Sequence, residues 1–255
     1  MSEQKFICDN SALVTRRSLV LSISLMTIIF GYASLSNEMD RFEVSGEVPV
    51  LSAPVEGVWR VINSPGHEPF AYDLAAVNPD TGATLSKSRL AHIFGRMSPE
   101  DFYSWGKPVK SPISGTVTVV RDDVPDRASL NLVVDLVRMF SARPDLTPND
   151  IRPFAGNYIV IDANDFYVFI AHLRSESIRV QAGDRVSAGQ ILGEVGNSGF
   201  TLEPHLHIQL VDQADNLLSA TVLPFTIDLF EVTTDGIWKL ASKESLPKGK
   251  IVRFD

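Results

Sequence analysis

From Val48 onward the chain breaks into short runs of β-branched, aromatic and aliphatic residues, each closed within a few positions by glycine, proline, asparagine or aspartate. Runs this short cannot sustain a helical period, and no single one buries enough apolar surface to be stable, so they must pair into sheets. The strands expected are 57–62, 70–77, 115–121, 158–162, 166–172, 191–195, 206–211 and 226–232. The clearest local signal is the pair Tyr158 to Ala163 and Phe166 to Ala171, joined through Asn164 and Asp165, which tolerate the backbone of a tight hairpin. The fold expected is all-β: a small antiparallel sandwich or barrel-like domain.

One stretch departs from that pattern. Between Asp122 and Pro153, Leu130, Val133, Val134, Val137 and Phe140 recur at helical spacing, which predicts an amphipathic helix inserted between two strands. Its apolar stripe is expected to lie over the sheet, either as a cap on the core or as a lid beside a groove, the cap being favoured because five apolar residues are more than a lid needs.

Lys and Arg total 23 against 31 for Asp and Glu, a formal net charge of −8, and no basic stripe offsets it, so a non-specific grip on nucleic acid is excluded. Cys8 is the only cysteine, so an internal disulfide and a thiolate zinc cage are both excluded and any metal must rest on His, Asp or Glu. Residues 18–36 carry no charge; Arg16 and Arg17 precede them and Glu38 and Asp40 follow. This stretch reads as a signal peptide or a membrane anchor, and the charge asymmetry expects the body to be exported, in the periplasm or on the outer face of the cytoplasmic membrane. The organisation expected is signal or anchor at 1–36, linker at 37–50, catalytic domain at 51–225 with a helical insertion at 122–153, and a C-terminal β extension at 226–255.

Five histidines occur, at 67, 92, 172, 205 and 207. His205 and His207 stand two apart at the start of a strand, where side chains at that spacing share a face and can serve one small volume. His172 ends the run begun at Phe166, a position expected at a sheet rim. His67 and Asp73 frame a short segment in which Pro69 divides loop from strand. Two His and one carboxylate with an open fourth position form a known catalytic zinc arrangement, and this inventory suffices for it with two imidazoles left over for proton transfer. Each signal alone has a plain structural explanation, a satisfied histidine pair or an aspartate capping a turn.

In order along the chain come His67 with Asp73 in Phe-Ala-Tyr-Asp-Leu, Ser111-Pro-Ile-Ser-Gly-Thr-Val, Gly156-Asn-Tyr-Ile-Val-Ile-Asp, Ala171-His-Leu, the run from Val180 to Gly193, and Gly196-Asn-Ser-Gly with Pro204-His-Leu-His. Over roughly Ala53 to Phe225 this series resembles the lysostaphin-like or LytM-like M23 metallopeptidases. The resemblance implies one zinc per chain held by His67, Asp73 and His207, with His172 and His205 as an unliganded catalytic pair. His67 and Asp73 stand six apart where the family's compact form has four, and the 122–153 insertion exceeds the usual loop. His92 matches no family position and reads as structural. The glycine pattern from Val180 to Gly193 is also similar to biotinyl and lipoyl carriers, but no lysine lies between Lys110 and Lys239 to be modified.

The function implied is an exported zinc endopeptidase that hydrolyses peptide bonds of peptidoglycan with a metal-activated water. The alternative is a catalytically inactive relative that binds the cell wall or activates other wall hydrolases, and a third reading is a purely wall-binding or structural module.

Overall fold

A computed structural model describes residues 48–63, 68–141, 145–148 and 150–255. The expectations placed on residues 1–47, and on His67, lie outside the described residues. Among the described residues no helix is long and apolar enough to cross a membrane.

The chain is all-β with short helical insertions. Its first half runs β1 (Val50–Leu51), β2 (Gly57–Ile62), β3 (Tyr72–Ala76), α1 (Arg89–Phe94), β4 (Pro108–Lys110), β5 (Gly115–Arg121), α2 (Leu132–Ser141) and α3 (Arg152–Ala155). The second half runs β6 (Asn157–Asp162), β7 (Tyr167–Leu173), β8 (Arg185–Val186), β9 (Ile191–Glu194), β10 (Leu206–Val211), β11 (Val222–Leu223), β12 (Thr226–Thr234), β13 (Ile237–Glu244) and β14 (Ile251–Phe254). The expected hairpin is β6–β7, and Asn164 at its turn takes φ 75°. Ten strands form the path β1-β12-β14-β2-β3-β10-β7-β6-β5-β8, with β11 on β10 and β13 on β12, while β4 and β9 make a separate pair. All these pairings are antiparallel except β1 with β12. The C-terminal strands β12 and β14 belong to the main sheet, between β1 and β2.

The central strands read as continuous apolar runs because both their faces are covered. On β6, Ile159 and Ile161 enter the main core with Trp59, Leu74, Leu192 and Phe225, whereas Tyr158 and Val160 enter a smaller cluster with Ile151, Ala155 and Phe169 on the opposite face. At about 1.5–3 kcal/mol for each large side chain fully withdrawn from water, the main core dominates the stability.

The inserted helix departs from expectation. Leu130 is buried, but in a satellite cluster with Leu85, Met97 and Phe102, while Val133, Val134 and Val137 of α2 are exposed. Polar contacts set the helix instead. Asn131 accepts the Val134 N–H and donates to the carbonyls of Ile93 and Gly95, and Asp135 accepts the Asn131 N–H. Asp135, on the side of α2 away from the valines, is the residue turned inward, where it pairs with Arg127. The two Asn131 bonds to the end of α1 and the Asp135–Arg127 pair tie the helix to its neighbours, which the exposed valines do not.

Candidate metal and histidine site

Strand alternation sorts the central strands onto two faces. Tyr72 and Leu74 of β3, Val168 and Ile170 of β7, and Leu206, Ile208 and Leu210 of β10 enter the main core. Asp73, Phe169, Ala171, His207 and Gln209 therefore face the other side. The register sets His207 directly across from Asp73 on one flank and from Ala171 on the other. His207 Nδ1 lies 2.8 Å from Asp73 Oδ1, and its Nε2 lies 3.0 Å from Gln209 Oε1. An amide oxygen only accepts, so Nε2 carries a hydrogen, and Nδ1 faces the carboxylate either with a second hydrogen or with a lone pair that a cation would share. Two acceptors so close need a proton or a cation between them, and a ring N–H given to a neighbouring oxygen is the tautomer a metal-ligating histidine requires. Asp73 is 4% exposed. Burial alone would raise its carboxyl, but the facing His205, together with the close contact to His207, outweighs burial and holds it well below the usual carboxylate range.

His172 reaches this face through a bulge. The β6–β7 pairing passes from Asn157↔Leu173 to Ile159↔Ile170, so β7 carries one extra residue there. His172 adopts φ 60°, a left-handed backbone rare for a residue with a Cβ. Strict alternation would send His172 into the core after Ala171. The extra residue lets both face the site while Leu173 returns to the core, the kind of re-aiming bulges provide. The imidazole centroid lies 4.7 Å from that of His205 and 6.0 Å from that of His207. Far from standing at a rim, His172 is 5% exposed. Its Nδ1 donates to the Ser198 carbonyl at 3.0 Å, which leaves Nε2 as the lone-pair nitrogen. Burial first, then the neighbouring His205 and His207, push it well below the ordinary histidine range.

The Ser198 carbonyl is itself fixed. Ser198 Oγ accepts the Asn157 N–H at 2.9 Å and donates to the Leu173 carbonyl at 2.7 Å. Gly156 and Gly199 take φ 65° and 78°, and a Cβ at Gly156 would fall 2.4 Å from three atoms of Ser198. The segment from Gly196 to Gly199 therefore does more than turn the chain: its close packing on Gly156 seats the acceptor beneath His172.

His205 is held on the opposite side. Its Nδ1 lies 2.8 Å from the Glu203 carbonyl and 3.0 Å from Thr201 Oγ1. The Thr201 hydroxyl gives its hydrogen to the same carbonyl at 2.6 Å, so the His205 Nδ1–H is shared between two acceptors. Its Nε2 is 3.6 Å from Asp73 Oδ1. Burial would lower His205, but the Asp73 carboxylate opposite outweighs it and raises the imidazole above its ordinary value.

Asp73, His172 and His207 are thus brought together from β3, β7 and β10, with His205 from the residue just before β10, and His67 lies outside the described residues. Among the described residues no set of three or more metal-ligating side chains is complete. Asp73 and His207 fit two places in a zinc shell by donor chemistry and tautomer, and a third donor would have to join them. His92 lies elsewhere, buried on α1 with its ring edge-to-face against Phe102 at 5.2 Å. Gln209, Ser198 and Thr201 were not singled out from sequence. Gln209 was legible, as the third member of an alternating series with His205 and His207, whereas Ser198 acts through contacts far apart in sequence and Thr201 through a short irregular loop that no periodicity marks.

The family model described as Peptidase family M23 matches residues 147–218. Endolysin 2638A of Staphylococcus phage 2638A is 42% identical over 65 residues, 24% of this chain and 13% of the endolysin. Peptidoglycan DD-endopeptidase ShyA of Vibrio cholerae is 42% identical over 60 residues, 24% of this chain and 14% of that protein. The chain thus matches well under a fifth of the length of these two relatives. Among solved structures, the catalytic domain of lysostaphin from Staphylococcus simulans is 20% identical with a TM-score of 0.34, covering 68% of this chain and 86% of that one.

Proposed function

We propose that the chain, whose residues 147–218 match the model of Peptidase family M23, is an exported, zinc-dependent endopeptidase that hydrolyses peptide bonds of peptidoglycan. The observation that carries the reading is the Asp73 carboxylate set 2.8 Å from Nδ1 of His207, with two further imidazoles whose Nδ1 atoms are already committed. The peptidoglycan DD-endopeptidase among its relatives supports wall peptide as the substrate class. The uncharged stretch 18–36 supports export, as a cleaved signal or as a tether to the outer face of the membrane.

In this reading Asp73 and His207, with His67 as the family resemblance implies, hold one zinc ion. When bound, zinc supplies a Lewis acid and lowers the pKa of its water toward about 7. His172 and His205 remain outside the metal shell and work through Nε2. One accepts the proton of the attacking water; the other holds a proton against the developing negative charge or returns it to the departing amine. Gln209 fixes the His207 ring through Nε2–H, so that Nδ1 is the ligating atom. The Ser198 and Glu203 carbonyls keep each catalytic imidazole in one tautomer.

The test is digestion of isolated wall sacculi by the zinc-loaded full chain, followed by separation of the released peptides. New amino termini that vanish with a chelator and return with zinc are expected. Stoichiometric zinc without any cleavage would overturn the peptidase reading and favour an inactive wall-binding relative.

A further inference from the structure

The insertion was expected to cover the sheet, yet its apolar stripe is largely exposed and its buried contacts are polar. Those contacts converge on the loop that carries His205. Asp126 accepts the N–H groups of Ser175 and Asn197, both at 2.7 Å. Arg127 is then clamped through its main chain, its N–H on Asn197 Oδ1 at 3.0 Å and its carbonyl accepting Asn197 Nδ2 at 3.1 Å. With the backbone fixed, the guanidinium spans two elements. One arm pairs with Asp135 of α2, which is 7% exposed, and the other donates to the Thr201 carbonyl. Thr201, 6% exposed, turns its hydroxyl to the Nδ1 of His205 and to the Glu203 carbonyl.

We propose that Arg127 is a positioning residue for the reaction: braced by Asp135, it holds the Thr201 main chain so that the hydroxyl and the Glu203 carbonyl keep His205 in the Nδ1–H tautomer with Nε2 facing the site. A planar guanidinium can donate in two directions at once, which an ammonium cannot do with fixed angles. The apolar stripe of the helical insertion does not cap the core as expected. The insertion is the anchor of a brace, and Asp135 is buried because it fixes the far end. This inference rests on His205 acting as proposed above.

The test uses the zinc-loaded full chain and three variants, Arg127→Met, Arg127→Lys and Thr201→Val. Turnover on sacculi should fall about 10- to 100-fold in each, as is typical when a group orienting a site residue is lost, with KM and zinc content unchanged. Arg127→Lys retains a cation for Asp135 and keeps the fold, yet should still lose turnover. The Arg127→Met/Thr201→Val double variant should be no slower than the worse single variant, because both cut one chain of contacts. Long-range proton–nitrogen NMR should show His205 as the Nδ1–H tautomer in the unmodified chain and as a mixture in the variants. Full turnover and an unchanged tautomer in folded Arg127→Lys and Thr201→Val, or losses that track only a lowered melting temperature, would overturn the proposal. If the unmodified chain cleaves nothing, the peptidase reading fails, and the NMR tautomer still decides the role of Arg127.

Discussion

Replacing His172 by glycine should leave a more stable protein than replacing it by alanine, although the alanine keeps a methyl group. Both substitutions delete the same buried imidazole and its hydrogen bond to Ser198, so those losses cancel in the comparison. What differs is the backbone at φ 60°. A residue with a Cβ in the left-handed region carries a cost of about 1–3 kcal/mol, from which glycine is exempt. Glycine gives back about 0.4–1 kcal/mol because its unfolded chain has more conformational freedom to lose. The balance favours glycine by about 1 kcal/mol, which in a domain of this size separates the two melting temperatures by about 2–4 °C. Scanning calorimetry of the two variants in one buffer, both saturated with zinc, reads this directly. An alanine variant that melts at or above the glycine variant would refute the claim that the bulge holds His172 under strain, and with it the account of how β7 delivers His172 to the site face.

Gln209→Leu should weaken zinc binding about 10- to 100-fold by freeing the His207 ring, measured by competition with a chromogenic chelator; unchanged affinity would show that Nε2–H needs no partner. Gly156→Ala should lower both the melting temperature and turnover, because its Cβ would meet Ser198 at 2.4 Å on a backbone of φ 65°, and a variant with wild-type melting and turnover would mean that this packing yields easily. His92→Ala should lower the melting temperature through loss of its contact with Phe102, while turnover per folded molecule stays unchanged; a turnover defect would connect α1 to the chemistry.

The sheet was legible because its strands are short, apolar and closed by turn residues: β2, β5 and β10 fall on the stretches expected for them, Gly57–Ile62, Gly115–Arg121 and Leu206–Val211. The alternation of His205 and His207 likewise placed two of the candidate residues on one face, since spacing along a strand is a local property. His172 was recognisable as a candidate but its delivery beside His205 and His207 was not, because a bulge and a positive φ are set by the register with β6. The insertion misled for a related reason. Its valines have helical spacing, but which face turns inward was decided by Asn131 and Asp135, whose partners Gly95 and Arg127 could not be inferred from periodicity. Gln209 needed only one more step of the same two-residue count that paired the histidines.

Metal content across four single variants of the full chain tests the central claim most directly. Unmodified protein should carry close to one zinc per chain, Asp73→Ala and His207→Ala should carry almost none, and His172→Ala and His205→Ala should keep the zinc while turnover on sacculi falls by about 10² to 10⁴. Stoichiometric zinc in Asp73→Ala and His207→Ala would contradict the account, as would its loss from His172→Ala or His205→Ala, because the division between metal-holding and proton-transferring side chains would then be misassigned.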